Sequence, residues 1–143
     1  MALVLNEEQV MLRDAAAGFL AEKATISHLR DLRDSGDEHG FDAEVWREMT
    51  EMGWAGIAIP EAFGGLGYGY TGLGLVLEQA GRNLSASPLQ SSVLVAATVI
   101  GELGSASQKE ALLPAIAAGE TLVSLALQEA PHHAPLQCAM SAS

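Results

Sequence analysis

The feature that most restricts the fold is an apolar stripe. Leu89, Val93, Ala96, Ala97, Ile100 and Leu103 recur at helical spacing and stop at Gly104. A helix of this kind has one face to bury and needs other helices or a sheet to bury it against. Ser87 and Pro88 just before it supply a capping side chain and a residue suited to the first helical position. Shorter stripes precede it: Met11, Leu12, Phe19 and Leu20; Val45, Trp46, Met49 and Met52; Leu73, Val76, Leu77 and Ala80. Aromatic residues are only 5% of the 143 while hydrophobic residues are 49%, a balance of small and aliphatic side chains that favours closely approaching helices. The expectation is an all-α helical bundle of single-domain size. No repeat of 20 to 50 residues is present to build a solenoid.

Local signals place the helix ends. Asn6 and Gln9 have the spacing of a reciprocal cap, with Leu5 and Val10 as a hydrophobic staple and Glu7 and Glu8 near the positive end, so a first helix runs to about Glu22. Ile26 to Asp34 reads as a short second helix, residues 35 to 40 as a polar loop, and Asp42 as the cap of a third helix that Gly53 ends with positive φ. Ala55 to Ile59 reads as buried and extended or irregular, and Gly64 to Gly72 as a loop. Glu78 and Arg82 are four apart on the next helix, which Gly81 approaches ending. Ser105 or Ser107 offers a cap for the last helix, and Pro114 predicts two short pieces or a kink over 108 to 118. Thr121 to Leu127 is the best strand candidate, a strand without a partner in this sequence.

Charge and cysteine content exclude several function classes. Seven Lys plus Arg against eighteen Asp plus Glu give a net charge of -11, so the surface repels nucleic acid and anionic lipid. A polyanionic ligand would have to meet its positive contacts elsewhere. Cys138 is the only cysteine, which rules out an internal disulfide and fits a cytoplasmic protein, and no secretory signal is legible at the N-terminus. The most apolar run, Val93 to Ile100, is too short to span a bilayer.

Several patterns resemble sites and read more simply as structure. Gly67-x-Gly69-x-x-Gly72 matches a dinucleotide fingerprint, but Pro60 to Phe63 stand where a strand should feed the first glycine, and Ser92 stands where an acidic residue is required. It reads as a turn. His132 and His133 are adjacent, pointing to opposite sides of an extended segment, and with Cys138 they read as a solvated tail, so no metal site is expected. His28 and His39 read as surface residues. Glu129 fits a base, a hydrogen-bond acceptor or a solvated end equally well. No nucleophile elbow and no phosphate-binding loop is present.

The ordered set Gly53-Trp54-Ala55-Gly56-Ile57, Pro60-Glu61, Gly64-Gly65-x-Gly67, Leu77-Glu78-Gln79 and Ser85-Ala86-Ser87-Pro88 closely resembles the N-terminal domain of acyl-CoA dehydrogenases. The resemblance extends back to Leu5-Asn6-Glu7-Glu8-Gln9 and Leu12-Arg13-Asp14, and forward through Gly104-Ser105, Gln108-Lys109, Leu113-Pro114 and Ala118-Gly119-Glu120. It implies a helical domain over residues 1–120 and, over 121–143, the start of a β middle domain that continues outside this sequence. It also implies a parent flavoprotein that binds FAD and oxidises an acyl-CoA at its α and β carbons. In such enzymes a carboxylate removes the α proton and the flavin accepts hydride from the β carbon. That carboxylate belongs to a later part of the family chain, so no catalytic residue is expected here and Glu61, Glu78 and Glu129 are not assigned the role. The isolated chain is expected to be inactive and to bind FAD poorly.

What the resemblance assigns to this chain is one wall of the acyl pocket, with Ser85, Leu89, Ser92 and Val93 as substrate-contacting candidates and Leu127 and Gln128 as flavin-edge candidates. Leu89 and Val93 read equally well as bundle packing. After Leu127 the chain departs from the family, because Gln128-Glu129-Ala130-Pro131 replaces the usual hydroxyl residue and glycine turn. The departure opens a second possibility, a non-catalytic subunit with a degenerate flavin site that completes a partner's oligomer. Some relatives acting on bulky steroid-type acyl-CoA esters are assembled from paired subunits, so a homo- or hetero-oligomer is expected.

Overall fold

Helix caps written into the sequence start the bundle. In the computed structural model, which describes residues 4–126, Asn6 accepts from the Gln9 amide at 2.8 Å while the Gln9 side chain accepts from the Asn6 amide at 3.0 Å. This reciprocal cap opens α1 (Glu7–Lys23). Thr25 caps α2 (Ile26–Ser35), which closes on left-handed Gly36, and Asp42 caps α3 (Ala43–Glu51) by accepting from the Glu44 and Val45 amides. Gly53 follows with φ of 79°, as its position predicts. Later come α4 (Gly69–Asn83), a π-helical run over Leu89–Ala96 continuing into α5 (Ala97–Leu103), and α6 (Ala106–Ala117) with a second reciprocal cap from Ser105 and Gln108. The molecule is helical, as expected.

Packing divides into two clusters. In the larger, α1 lies along α4, and Ala16, Leu20, Met49, Leu73, Val76, Leu89 and Val93 are buried with Trp54, whose ring meets Phe19 edge-on at 5.4 Å. Each fully buried aliphatic side chain of this kind stabilises by about 1.5–3 kcal/mol. The smaller cluster joins Ile59 and Ala97 to Leu113 and Ile116 of α6.

Between α3 and α4 the chain makes a compact knot. Residues 54–56 and 61–63 form short 3-10 turns, so the segment predicted as buried and extended or irregular is buried and irregular, curled and not extended. The Leu66, Gly67 and Tyr68 amides donate back to the Gly56, Ile59 and Ile57 carbonyls, each at 2.9 Å. This folding back requires Gly65, where an added Cβ would stand 2.0 Å from the Ile59 carbonyl oxygen.

Other sequence expectations are corrected by tertiary context. Of the two outcomes expected at Pro114, two pieces or one kinked helix, the first is overturned: α6 is one helix running through Pro114, whose own carbonyl accepts from the Ala118 amide at 2.9 Å. Helix α4 begins at Gly69, which shortens the predicted glycine loop, and Gly72, the third glycine of the fingerprint match, packs against the Tyr68 ring where a fingerprint would pack its helix on a strand. Ser87 makes no cap, and the helical run after Pro88 opens as a π-helix, with the Ala97 amide donating to the Ser92 carbonyl. Leu103, last in the predicted apolar face, is 82% exposed. Residues 121–126 form no strand: the Thr121 amide goes to the Ala115 carbonyl and the Val123 amide to the Ser92 hydroxyl, leaving no ladder. Leu127, the last residue of that predicted strand, lies outside the described residues.

Two glycine substitutions should separate the knot from the helices. Gly65→Ala should lower stability by about 3 kcal/mol or more, because backbone must move to relieve the clash. Gly18→Ala, on the exposed side of α1 with nothing within 4 Å of the new carbon, should raise it by about 1 kcal/mol. Thermal unfolding followed by circular dichroism reads both.

Candidate functional site

Helix α4 ends at Leu84, which has φ of 51° and is the only non-glycine residue with positive φ among those described. The left-handed turn brings Ser85 back under the bundle, where its amide donates to the Ala80 carbonyl and its hydroxyl to the Ala24 carbonyl, each at 2.9 Å. The hydroxyl thereby satisfies a buried carbonyl at the end of α1. From there the chain runs along a groove of about 420 Å³.

Three segments line that groove. Ser85, Ala86, Ser87, Pro88 and Ser91 form one side; His39, Gly40 and Phe41 from the loop before α3 form the second; Leu122, Val123 and Ser124 form the third. The lining is hydroxyl and apolar carbon with one imidazole, and it contains no Lys, Arg, Asp or Glu. Such a surface can lie along an alkyl or ring system and offer hydrogen bonds to a carbonyl or amide. It has no carboxylate to serve as a base.

The residues named from sequence are divided by the structure. Ser85 lines the groove. Leu89 is completely buried in the larger core cluster, and Val93, also in that cluster, borders a second cavity of about 350 Å³ on the α5–α6 side. Ser92 is buried behind the groove wall, with its oxygen accepting from the Val123 amide at 3.1 Å. Leu127 and Gln128, the flavin-edge candidates, lie outside the described residues, as do Glu129, His132, His133 and Cys138. Glu78 is spent on Arg82 at 2.6 Å on the surface of α4. Sequence reasoning missed Ser87 and Ser91 as groove residues and the 39–41 and 122–124 walls altogether. The available signal was Gln90-Ser91-Ser92, a polar interruption of an otherwise apolar helix.

FAD is the cofactor that the resemblance implies, and the described residues do not fit it alone. Its diphosphate needs cations or converging amides, and the groove lining holds no Lys or Arg. Arg13, Lys23, Arg33, Arg47 and Arg82 are each already paired with a carboxylate of this chain, and the other two cations, Arg30 and Lys109, do not line the groove.

Comparison with known proteins shows which family the chain resembles. The family model described as "Acyl-CoA dehydrogenase, N-terminal domain" matches residues 6–120. Acyl-CoA dehydrogenase FadE12 of Mycobacterium tuberculosis is 32% identical over 129 residues, which cover 90% of this chain and 32% of that protein. Among solved structures, the Tcur3481-Tcur3483 steroid ACAD G363A variant superposes with a TM-score of 0.76 at 37% identity, covering 86% of this chain and 33% of its own. The ChsE4-ChsE5 complex from Mycobacterium tuberculosis gives a TM-score of 0.78 at 28% identity, covering 89% and 34%. The chain thus spans about a third of the length of the relatives it matches.

The loop wall is held by Asp42, next to Phe41, and its grip depends on pH. The Val45 amide, then the Glu44 amide and His28, 3.1 Å away, hold its carboxyl below the ordinary value of 3.8 against the opposing effect of burial. A depressed folded value means that the stabilisation is present above the unfolded value and is lost as pH falls through the folded one. Urea unfolding should therefore show stability dropping below about pH 4, and Asp42→Asn should flatten that portion of the profile. An unchanged profile in the variant would remove Asp42 from the account.

Proposed function

Because the chain belongs to the acyl-CoA dehydrogenase family, matching its N-terminal domain, we propose that it is the first part of a flavoprotein that introduces an α,β double bond into an acyl-CoA thioester. In this reading residues 1–120 form the helical domain and residues from 121 onward lead into a β middle domain. The observation that carries it is the uncharged groove, in which the 85–91 turn faces the 122–124 segment. Its serine hydroxyls and apolar carbon suit the acyl portion of a thioester. The anionic portions of CoA and FAD find no cation there, and they belong to the remainder of the parent.

Within that division this chain's residues bind and orient. Ser87 and Ser91 present hydroxyls at the groove, Phe41 and Leu122 present apolar surface, and Ser85 holds the turn to the end of α1. The proton-abstracting carboxylate and the redox cofactor lie outside the 143 residues. Among the described residues no helix is long and apolar enough to cross a membrane, and a cytoplasmic location accords with the lone Cys138.

A second reading has its own support. The residues after Leu127 depart from the family pattern, and a structure that this chain resembles is of a complex of two named proteins, ChsE4 and ChsE5. A subunit with a degenerate flavin site, completing a hetero-oligomer, would fit both.

One experiment separates the readings. The full-length protein should copurify with flavin, and an acyl-CoA panel added without oxygen should bleach its absorbance, while the 143-residue chain with added FAD should turn over nothing. Turnover by the 143-residue chain alone would overturn the first reading. A flavin-free full-length protein that becomes active only with a second acyl-CoA dehydrogenase-like subunit would establish the other.

A further inference from the structure

Adjacent serines in the π-helical run have opposite surroundings. Ser91 is exposed at the groove, whereas Ser92 is 1% exposed and sits among Leu89, Val93 and Ala96 in a buried face. A hydroxyl in such a place destabilises unless it is hydrogen-bonded. Its partner is the Val123 amide, 31 positions away in sequence, and this amide has no strand to receive it. Each group satisfies the other.

The tether adds a directional bond where the Val123 side chain also packs against the smaller cluster, and few other bonds hold the chain there. Upstream, the Trp46 indole donates to the Gly119 carbonyl at 3.3 Å and the Glu120 and Thr121 amides both donate to the Ala115 carbonyl. Downstream, Ser124, Leu125 and Ala126 are exposed. Val123 is thus the last described point at which the segment is bonded to the bundle, and its neighbours Leu122 and Ser124 form the third wall of the groove opposite Ser87 and Ser91.

We propose that Ser92 is a positioning residue that holds Val123, fixes the separation of the two groove walls, and thereby limits the girth of the acyl group the groove admits. The inference rests on the acyl-CoA reading above. It takes Ser92 out of direct contact with substrate and gives it control of the wall that substrate would meet. The adjacent Ser91 hydroxyl, exposed at the groove, donates to the Pro88 carbonyl at 3.3 Å and keeps its oxygen lone pairs open to a ligand's donor.

Hydrogen exchange in the 143-residue chain tests the tether, and acyl selectivity in the full-length protein tests its consequence. Ser92→Ala and the near-isosteric Ser92→Cys should accelerate exchange at the Val123 amide by about tenfold or more and leave the Thr121 amide unchanged, while Ser92→Thr, keeping the hydroxyl, should restore protection. In the full-length protein, Ser92→Ala should lower KM for branched or ring-bearing acyl-CoA relative to straight-chain acyl-CoA by about three- to tenfold at nearly constant kcat. Unchanged Val123 exchange, or faster exchange with an unchanged acyl profile, overturns the inference and leaves the acyl-CoA reading standing. Absence of any acyl-CoA response in wild type and variants alike overturns both.

Discussion

The close approach of Gly65 to the Ile59 carbonyl is the constraint on which the rest of the molecule depends. Only a residue without a side chain lets the chain reverse there, and the reversal lets the Leu66, Gly67 and Tyr68 amides bond to the Gly56, Ile59 and Ile57 carbonyls. The knot then feeds both cores. Trp54 and Ile57 face the larger cluster, Ile59 faces the smaller one, and the chain leaves at Gly69 in position for α4 to lie along α1. A segment with little regular secondary structure thus sets the arrangement of the helices around it.

How much of this was legible follows from the range of each interaction. The caps at Asn6, Asp42 and Ser105 are settled within three residues, and their side chains sit where the sequence expects them. Pro114 reads as a breaker because propensity is a local quantity, yet packing of Leu113 and Ile116 against Ile59 and Ala97 keeps α6 continuous. Periodicity told which residues share a face of the run ending at Leu103 without telling where cover stops, and Leu103 stands in solvent. Thr121 and Val123 keep the alternating burial of a strand, but a strand also needs a neighbour, and side-chain and helix-end groups took its amides instead.

The candidate site was harder to read because three distant segments make it. Ser85 was recognisable from its place in a family-like turn, whereas Ser87 resembled a cap and nothing in the helical pattern singled out Ser91. Their common destination emerges only when residues 39–41 and 122–124 close around them. The π-helical turn belongs to the same story: its wider spiral cannot be inferred from stripe spacing, and such turns frequently occur at functional positions. Charge, by contrast, was fully legible. A surface of net charge -11 whose arginines largely serve neighbouring carboxylates has little left to offer a polyanion.

The unequal size of the two cores gives the molecule two tiers of cooperativity. Helices α1 and α4 share a large buried cluster, whereas α6 rests on a cluster of four buried residues, and a smaller buried cluster is expected to open at lower free energy. The 119–126 segment follows α6 and bonds to it, and it also bonds to Trp46 of the larger cluster and to buried Ser92, so it spans the two tiers. The groove therefore lies on the seam between a stable foldon and a labile one. Any contact made with the outer side of that third wall would stiffen it, and its free energy would be shared between binding there and ordering the groove.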